Sequence, residues 1–183
     1  LLESRGLGDV YKRQISNYIP VFTKLKGLET TIAATGLTLI GIFNMMGTLI
    51  SGKISGIIKK KYVLSFIYFS RSIVIFFLLI LPTNNFVVIG FSCLIGLLWL
   101  STVPPTSGIV ANRFGTRYLS TLFGIVMVSH QAGAFFGSFV GGLVIDAYGS
   151  LDLAWIMAIV ISLFSAFIHL LIVEKEKSEE VFA

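Results

Sequence analysis

Lys59-Lys60-Lys61-Tyr62-Val63-Leu64-Ser65-Phe66-Ile67-Tyr68-Phe69-Ser70-Arg71-Ser72-Ile73-Val74-Ile75-Phe76-Phe77-Leu78-Leu79-Ile80-Leu81-Pro82-Thr83-Asn84-Asn85 is the stretch on which the fold turns. From Tyr62 to Leu81 it carries one charge, Arg71, and a lysine triplet and a Pro-Asn turn bracket it. At about 1.5 Å per residue, a run of this length crosses about 30 Å of hydrocarbon as one α-helix. A helix is required because lipid offers no partner for exposed N–H and C=O groups, and the strands of a membrane barrel would be shorter and alternating. The run is apolar on most faces, as a spanning helix is.

The same pattern repeats on both sides. Apolar runs extend over about Thr30–Ser51, ending at Lys53, and over about Phe86–Val110, Leu119–Ile145 and Leu153–Val173. Ile15–Phe22 is shorter and reads as the last turns of a helix whose start is missing. The expected fold is all-α: a polytopic transmembrane helix bundle with helices at about 15–22 (partial), 30–51, 62–81, 86–110, 119–145 and 153–173. That makes five complete spanning helices plus the end of a sixth. Residues 15–173 form the transmembrane domain and 174–183 a charged cytoplasmic tail. Residues 1–14 are polar and aperiodic. They look like adapter-derived translation and are set aside from the fold, the alternative being a genuine cytoplasmic loop.

Composition agrees with lipid as the solvent. Of 183 residues 55% are hydrophobic and 13% charged, against about 25% charged in soluble domains, and mean hydropathy is +0.91. The net charge of +5 does not point to nucleic acid, because the basic residues sit in clusters between apolar runs, as cytoplasmic loops do. The single cysteine, Cys93, lies inside an apolar run and supports no disulfide framework. No metal-ligand spacing, nucleophile–base pair, P-loop, haem motif or carboxylate dyad is visible, so neither a cofactor nor enzyme activity is expected. Lipid bilayer is the expected partner.

The Lys/Arg asymmetry sets orientation. The segment of Lys59, Lys60 and Lys61 and the loop of Arg113 and Arg117 fall on one side, which should be cytoplasmic together with the tail. The Pro82–Asn85 turn and the Asp146–Asp152 loop fall on the other side and hold no Lys or Arg. Lys24 and Lys26 dissent.

Inside the runs a few residues stand out. Arg71 lies nine residues past Tyr62, roughly 14 Å into its helix, where an arginine costs about 2.5–3.5 kcal/mol and so faces a cavity or a partner. No Asp or Glu occurs between Glu29 and Asp146. The counter-charge is a bound anion, for which a guanidinium's bidentate fork suits a carboxylate, or a partner from absent sequence, or backbone carbonyls and water. His130 and Gln131 are roughly 17 Å into the Leu119–Ile145 run, where His130 is a candidate proton carrier. His130 also shares a face with Gly133, Gly137 and Gly141, a small-residue stripe that lets a neighbouring helix approach closely, so a packing role competes. His169 is expected at the interface. Trp99, Ser101, Thr102, Pro104, Pro105, Thr106 and Ser107 cluster in one run; the adjacent prolines should kink it and the hydroxyls satisfy freed backbone groups. Such helices tend to line transport cavities, though a kink can serve packing alone. Asn44 is a further polar candidate.

Gly52-Lys53-Ile54-Ser55-Gly56-Ile57-Ile58-Lys59-Lys60-Lys61 resembles the loop signature of the major facilitator superfamily, and Ala111-Asn112-Arg113-Phe114-Gly115-Thr116-Arg117 looks like its later counterpart. Gly56 and Ile57 stand where Asp and Arg are usual in the first, and Asn112 replaces Asp in the second. Leu98-Trp99-Leu100-Ser101-Thr102-Val103-Pro104, Gly115-Thr116-Arg117-Tyr118 and Ser129-His130-Gln131 resemble a bacterial branch close to monocarboxylate and oxalate/formate porters. The resemblance spans nearly all of Ile15–Val173. It implies the C-terminal six-helix half of a twelve-helix transporter in a bacterial cytoplasmic membrane, with the missing N-terminal half as partner. The function it implies is alternating-access transport of small organic anions such as monocarboxylates, with Arg71 on the carboxylate, Trp99, Ser101, Thr102 and Asn44 on the path, and His130 or Gln131 on substrate or a proton. The rivals are an exporter of apolar or cationic compounds and a non-transporting receptor or assembly protein.

Overall fold

A computed structural model describes residues 19–174. The expected leader, residues 15–18 of the first run and the tail beyond Glu174 lie outside the described residues. Regular structure among the described residues is helical: α1 (residues 19–25), α2 (Thr30–Ile57), α3 (Lys60–Ile80), α4 (Asn85–Trp99), α5 (Val103–Phe114), α6 (Leu119–Tyr148) and α7 (Asp152–Leu170). Five stretches are long and apolar enough to cross a membrane: α2, α3, α6, α7, and α4 with α5 taken together as Asn85–Phe114.

Helices end where backbone chemistry stops them rather than where hydropathy falls. α2 runs on past Ser51 to Ile57 and stops at an extended Ile58. α5 stops at Gly115, φ 77°, and α6 at Gly149, φ 67°, conformations that glycine adopts without a Cβ penalty. At the start of α4 the Asn84 side chain accepts a hydrogen bond from the Val87 N–H, 3.0 Å, satisfying one of the orphan donors of a helix start. The basic signatures are therefore not loops, as the sequence led us to expect. Gly52 and Lys53 lie in α2, Lys60 and Lys61 in the first turn of α3, and Arg113 in the last turn of α5. Only Lys59, Gly115 and Arg117 stand in the connections.

α4 packs on both α2 and α3. α2 packs along it through small residues: an added Cβ on Gly36 would meet Ser92 Oγ at 2.7 Å, one on Gly96 would meet the Ile40 backbone at 2.8 Å, and one on Gly47 would strike the Leu97 carbonyl. Such closeness is how helices gain dispersion contact where lipid removes the hydrophobic drive. α3 packs along α7. The core joins α1, α3, α4 and α7, with Ala33 of α2, at the end away from Lys59–Lys61: Phe22 and Phe91 both meet Trp155 edge-on, with centroids at 6.4 and 5.9 Å. α6 is the least covered, burying only Gly141 and Val144. Outward residues are apolar; Met45, Leu49 and Val128 are at least 70% exposed. A surface of that kind suits hydrocarbon, not water.

Candidate functional site

The site forms around a break in the third spanning stretch. Residues 100–102 leave the helix between α4 and α5, and Pro104 and Pro105 occupy the first turn of α5. In a continuous helix the N–H groups of residues 104 and 105 would bond the carbonyls of Leu100 and Ser101, and proline has none. Those carbonyls find other partners. Leu100 C=O accepts from Val103 N–H at 2.9 Å, and Ser101 C=O accepts from the Ser51 hydroxyl of α2. The Leu100 N–H donates to Asn44 Oδ1 of α2 at 3.0 Å. The Ser101 hydroxyl donates to Leu97 C=O at 2.5 Å, and Thr102 C=O accepts from Thr106 N–H and its hydroxyl at 3.1 and 2.7 Å. Buried backbone groups left without such partners would cost about 1–3 kcal/mol each, so α2 holds the break open with two side chains.

Arg71 holds it from the other side. Its Nη2 donates to the carbonyls of Leu98 and Trp99 at 2.6 and 2.5 Å, the C-terminal end of α4, where the helix dipole is negative. The guanidinium lies over the rings of Tyr68 and Trp99, 5.1 and 5.6 Å from their centroids. Tyr68 in turn stacks on His169 of α7 at 4.9 Å, and the His169 Nδ1 faces the Ser165 carbonyl at 2.6 Å. Hydrogen bonds to a charged group contribute about 1.5–3 kcal/mol each. Two of them, about 3–6 kcal/mol, offset the roughly 2.5–3.5 kcal/mol cost of a midplane arginine. Of the three counter-charges the sequence left open, backbone carbonyls are thus present among the described residues. A guanidinium carries five donors, and this one also borders a cavity, so capping and ligand binding can share the side chain.

That cavity, a half-open cleft of about 520 Å³, lies between α3, α4, α6 and α7. Arg71 and Trp99 form one part of its wall, Phe91, Trp155 and Phe136 another, and Gly133, Gly137 and Gly141 line the α6 side. The glycine stripe therefore faces space here: an added Cβ on Gly133 meets nothing within 4 Å, while Gly141 is buried. His130 lies within electrostatic reach of Arg71, and Gln131 is exposed. The structure brings Arg71, Trp99 and the three glycines together, and sets Asn44, Ser101 and Thr102 at the break.

Sequence reasoning missed Ser51, Trp155 and Glu174. The Glu174 carboxylate accepts from the Lys60 N–H at 3.1 Å and from the Lys61 N–H, an anion on the α3 N-terminus. Lys61 Nζ and Arg113 Nη1 reach the carbonyls of Leu170 and Val173, each at 3.4 Å. Lys60, Lys61 and Arg113 thus meet the end of α7, with Arg117 next in sequence, its guanidinium 5.3 Å from the Tyr118 ring centroid. The mixed charge of Glu174-Lys175-Glu176-Lys177 was the available signal.

No protein-family model matches this chain, and no solved structure matches it significantly. Among curated proteins it is similar to an uncharacterized MFS-type transporter, YcxA, of Bacillus subtilis strain 168, with 28% identity over 147 residues. The match covers 76% of this chain and 36% of that protein, so the chain spans a little over a third of the relative it matches. Together with the five spans, this similarity supports membership of the major facilitator superfamily.

Proposed function

We propose that the chain is the C-terminal half of a secondary transporter of small organic anions, monocarboxylates above all, working by alternating access in a bacterial cytoplasmic membrane. The similarity to an MFS-type transporter supports the transporter part of this reading. The observation that carries the anion part is Arg71: a guanidinium at mid-depth in α3, on the wall of a cavity, in a stretch of chain without Asp or Glu from residue 30 to residue 145. Arg71 binds the carboxylate, the broken α4–α5 stretch lines the path, and His130, near the same charge, contacts substrate or carries a proton. The end where Lys60, Lys61 and Arg113 meet α7 faces the cytoplasm. Uptake of labelled monocarboxylates by the whole transporter tests this. Arg71→Ala and Arg71→Lys should both lose uptake at normal expression, since a point charge does not replace a bidentate fork; unchanged uptake in either would remove Arg71 from the mechanism.

The mainly apolar cavity wall favours a second reading, an exporter of apolar compounds on the same fold. Competition between organic anions and lipophilic cations or neutral compounds separates the two.

A further inference from the structure

The same cavity carries a narrower statement about the ligand, resting on the organic-anion reading. We infer that it takes a monocarboxylate with a bulky apolar or aromatic body, and discriminates against formate- or oxalate-sized anions and against dicarboxylates.

Size is the first argument. A ligand of three to six heavy atoms displaces a few waters of about 30 Å³ each. In about 520 Å³ it would leave most of the space as water against indole and phenyl walls. The volume falls in the range of pockets that enclose larger organic ligands, about 300–1,000 Å³. Charge is the second. Among the described residues Arg71 is the one cationic side chain on the wall, and Phe91, Phe136, Trp155 and the α6 glycines surround the remaining space. A second carboxylate on the ligand would be buried against these apolar groups, which cannot solvate it. Shape is the third. The glycines of α6 withdraw side-chain volume opposite Trp155, whose ring and that of Phe91 stand edge to face. A flat or chain-like body fits between that wall and the backbone of α6. Because the Leu98 and Trp99 carbonyls fix Arg71 Nη2, the guanidinium is pre-oriented, and little ordering cost remains when a carboxylate arrives.

The chain has two tryptophans, Trp99 and Trp155, and both line the cavity. In the whole transporter in nanodiscs, the part of the tryptophan fluorescence change that a Trp155→Phe variant removes therefore reports occupancy. The titrants are 3-phenylpropanoate, octanoate, formate, oxalate and octylamine. The expected result is a saturable change with 3-phenylpropanoate and octanoate, binding of formate and oxalate weaker by at least about tenfold, and no saturable change with octylamine. Gly133→Leu fills the cavity from a position whose Cβ has open space. It should keep the parent melting temperature and weaken 3-phenylpropanoate by about tenfold or more. Formate or oxalate binding as tightly as octanoate would overturn the ligand class while leaving organic-anion transport intact. Octylamine binding equally well would overturn both readings. A Gly133→Leu protein with parental affinity, or silent tryptophans alongside undiminished carboxylate uptake, would overturn the location.

Discussion

Gly47→Ala is the sharpest probe of the α2–α4 crossing. A Cβ at Gly47 falls 1.8 Å from the Leu97 carbonyl oxygen and 2.7 Å from both its carbon and Ser101 Oγ. Backbone on both sides cannot rotate away as a flexible side chain can. α2 must retreat by about 1.5 Å to reach ordinary contact, which makes this a severe case of overpacking, itself worth about 1–3 kcal/mol. The retreat also stretches two bonds anchored on the same face of α2, Asn44 to Leu100 and Ser51 to Ser101, each contributing about 1 kcal/mol. The total is about 3–5 kcal/mol. Gly41, less than two turns away, is the control: its added Cβ meets nothing within 4 Å, so Gly41→Ala should gain about 0.5–1 kcal/mol from helix propensity alone. At about 2–4 °C per kcal/mol for a chain of this size, thermal melts in detergent should show Gly47→Ala lower by about 10 °C and Gly41→Ala equal to or slightly above the parent. If the two variants melt within a degree or two of each other, α2 does not touch the break and the packing described for it is wrong.

Two further outcomes follow from named bonds. Asn44→Ala removes the acceptor for the Leu100 N–H and should destabilise by about 1–3 kcal/mol, with amide exchange at Leu100 the site-specific readout. Glu174→Gln removes a charge from the α3 N-terminus, worth about 0.3–1 kcal/mol, so the Lys60 and Lys61 amides should exchange up to about fivefold faster, an effect that added salt diminishes.

The spanning stretches were legible because hydropathy over a bilayer length needs no tertiary information: each run between Thr30 and Val173 has its helix. The kink was legible too, but not its place. Prolines 104 and 105 deprive carbonyls four residues upstream, so the chain opens at 100–102, before the prolines rather than at them. Arg71 and the break were each visible in the sequence, yet nothing in one dimension said that the guanidinium of one serves the carbonyls of the other. A second small-residue surface, on α2, went unread. Gly133, Gly137 and Gly141 line a cavity, whereas Ala33, Gly36, Gly47, Ser51 and Ser55 form the buried face of α2. Both stripes recur at helical spacing, and only the neighbours decide which one is filled. The ends of the basic helices were misplaced for a similar reason, since hydropathy marks the lipid boundary and not the last helical turn.

The exchange of partners at residues 100–102 has a mechanical meaning. Bending an intact helix ruptures main-chain bonds that hydrocarbon cannot replace. Here that continuity is already interrupted, and Asn44, Ser51 and Arg71 stand in for it through side chains able to rotate and re-form their bonds elsewhere. α5 can therefore tilt against α4 at the expense of a few side-chain bonds, a compliance placed at mid-depth in an otherwise stiff rod.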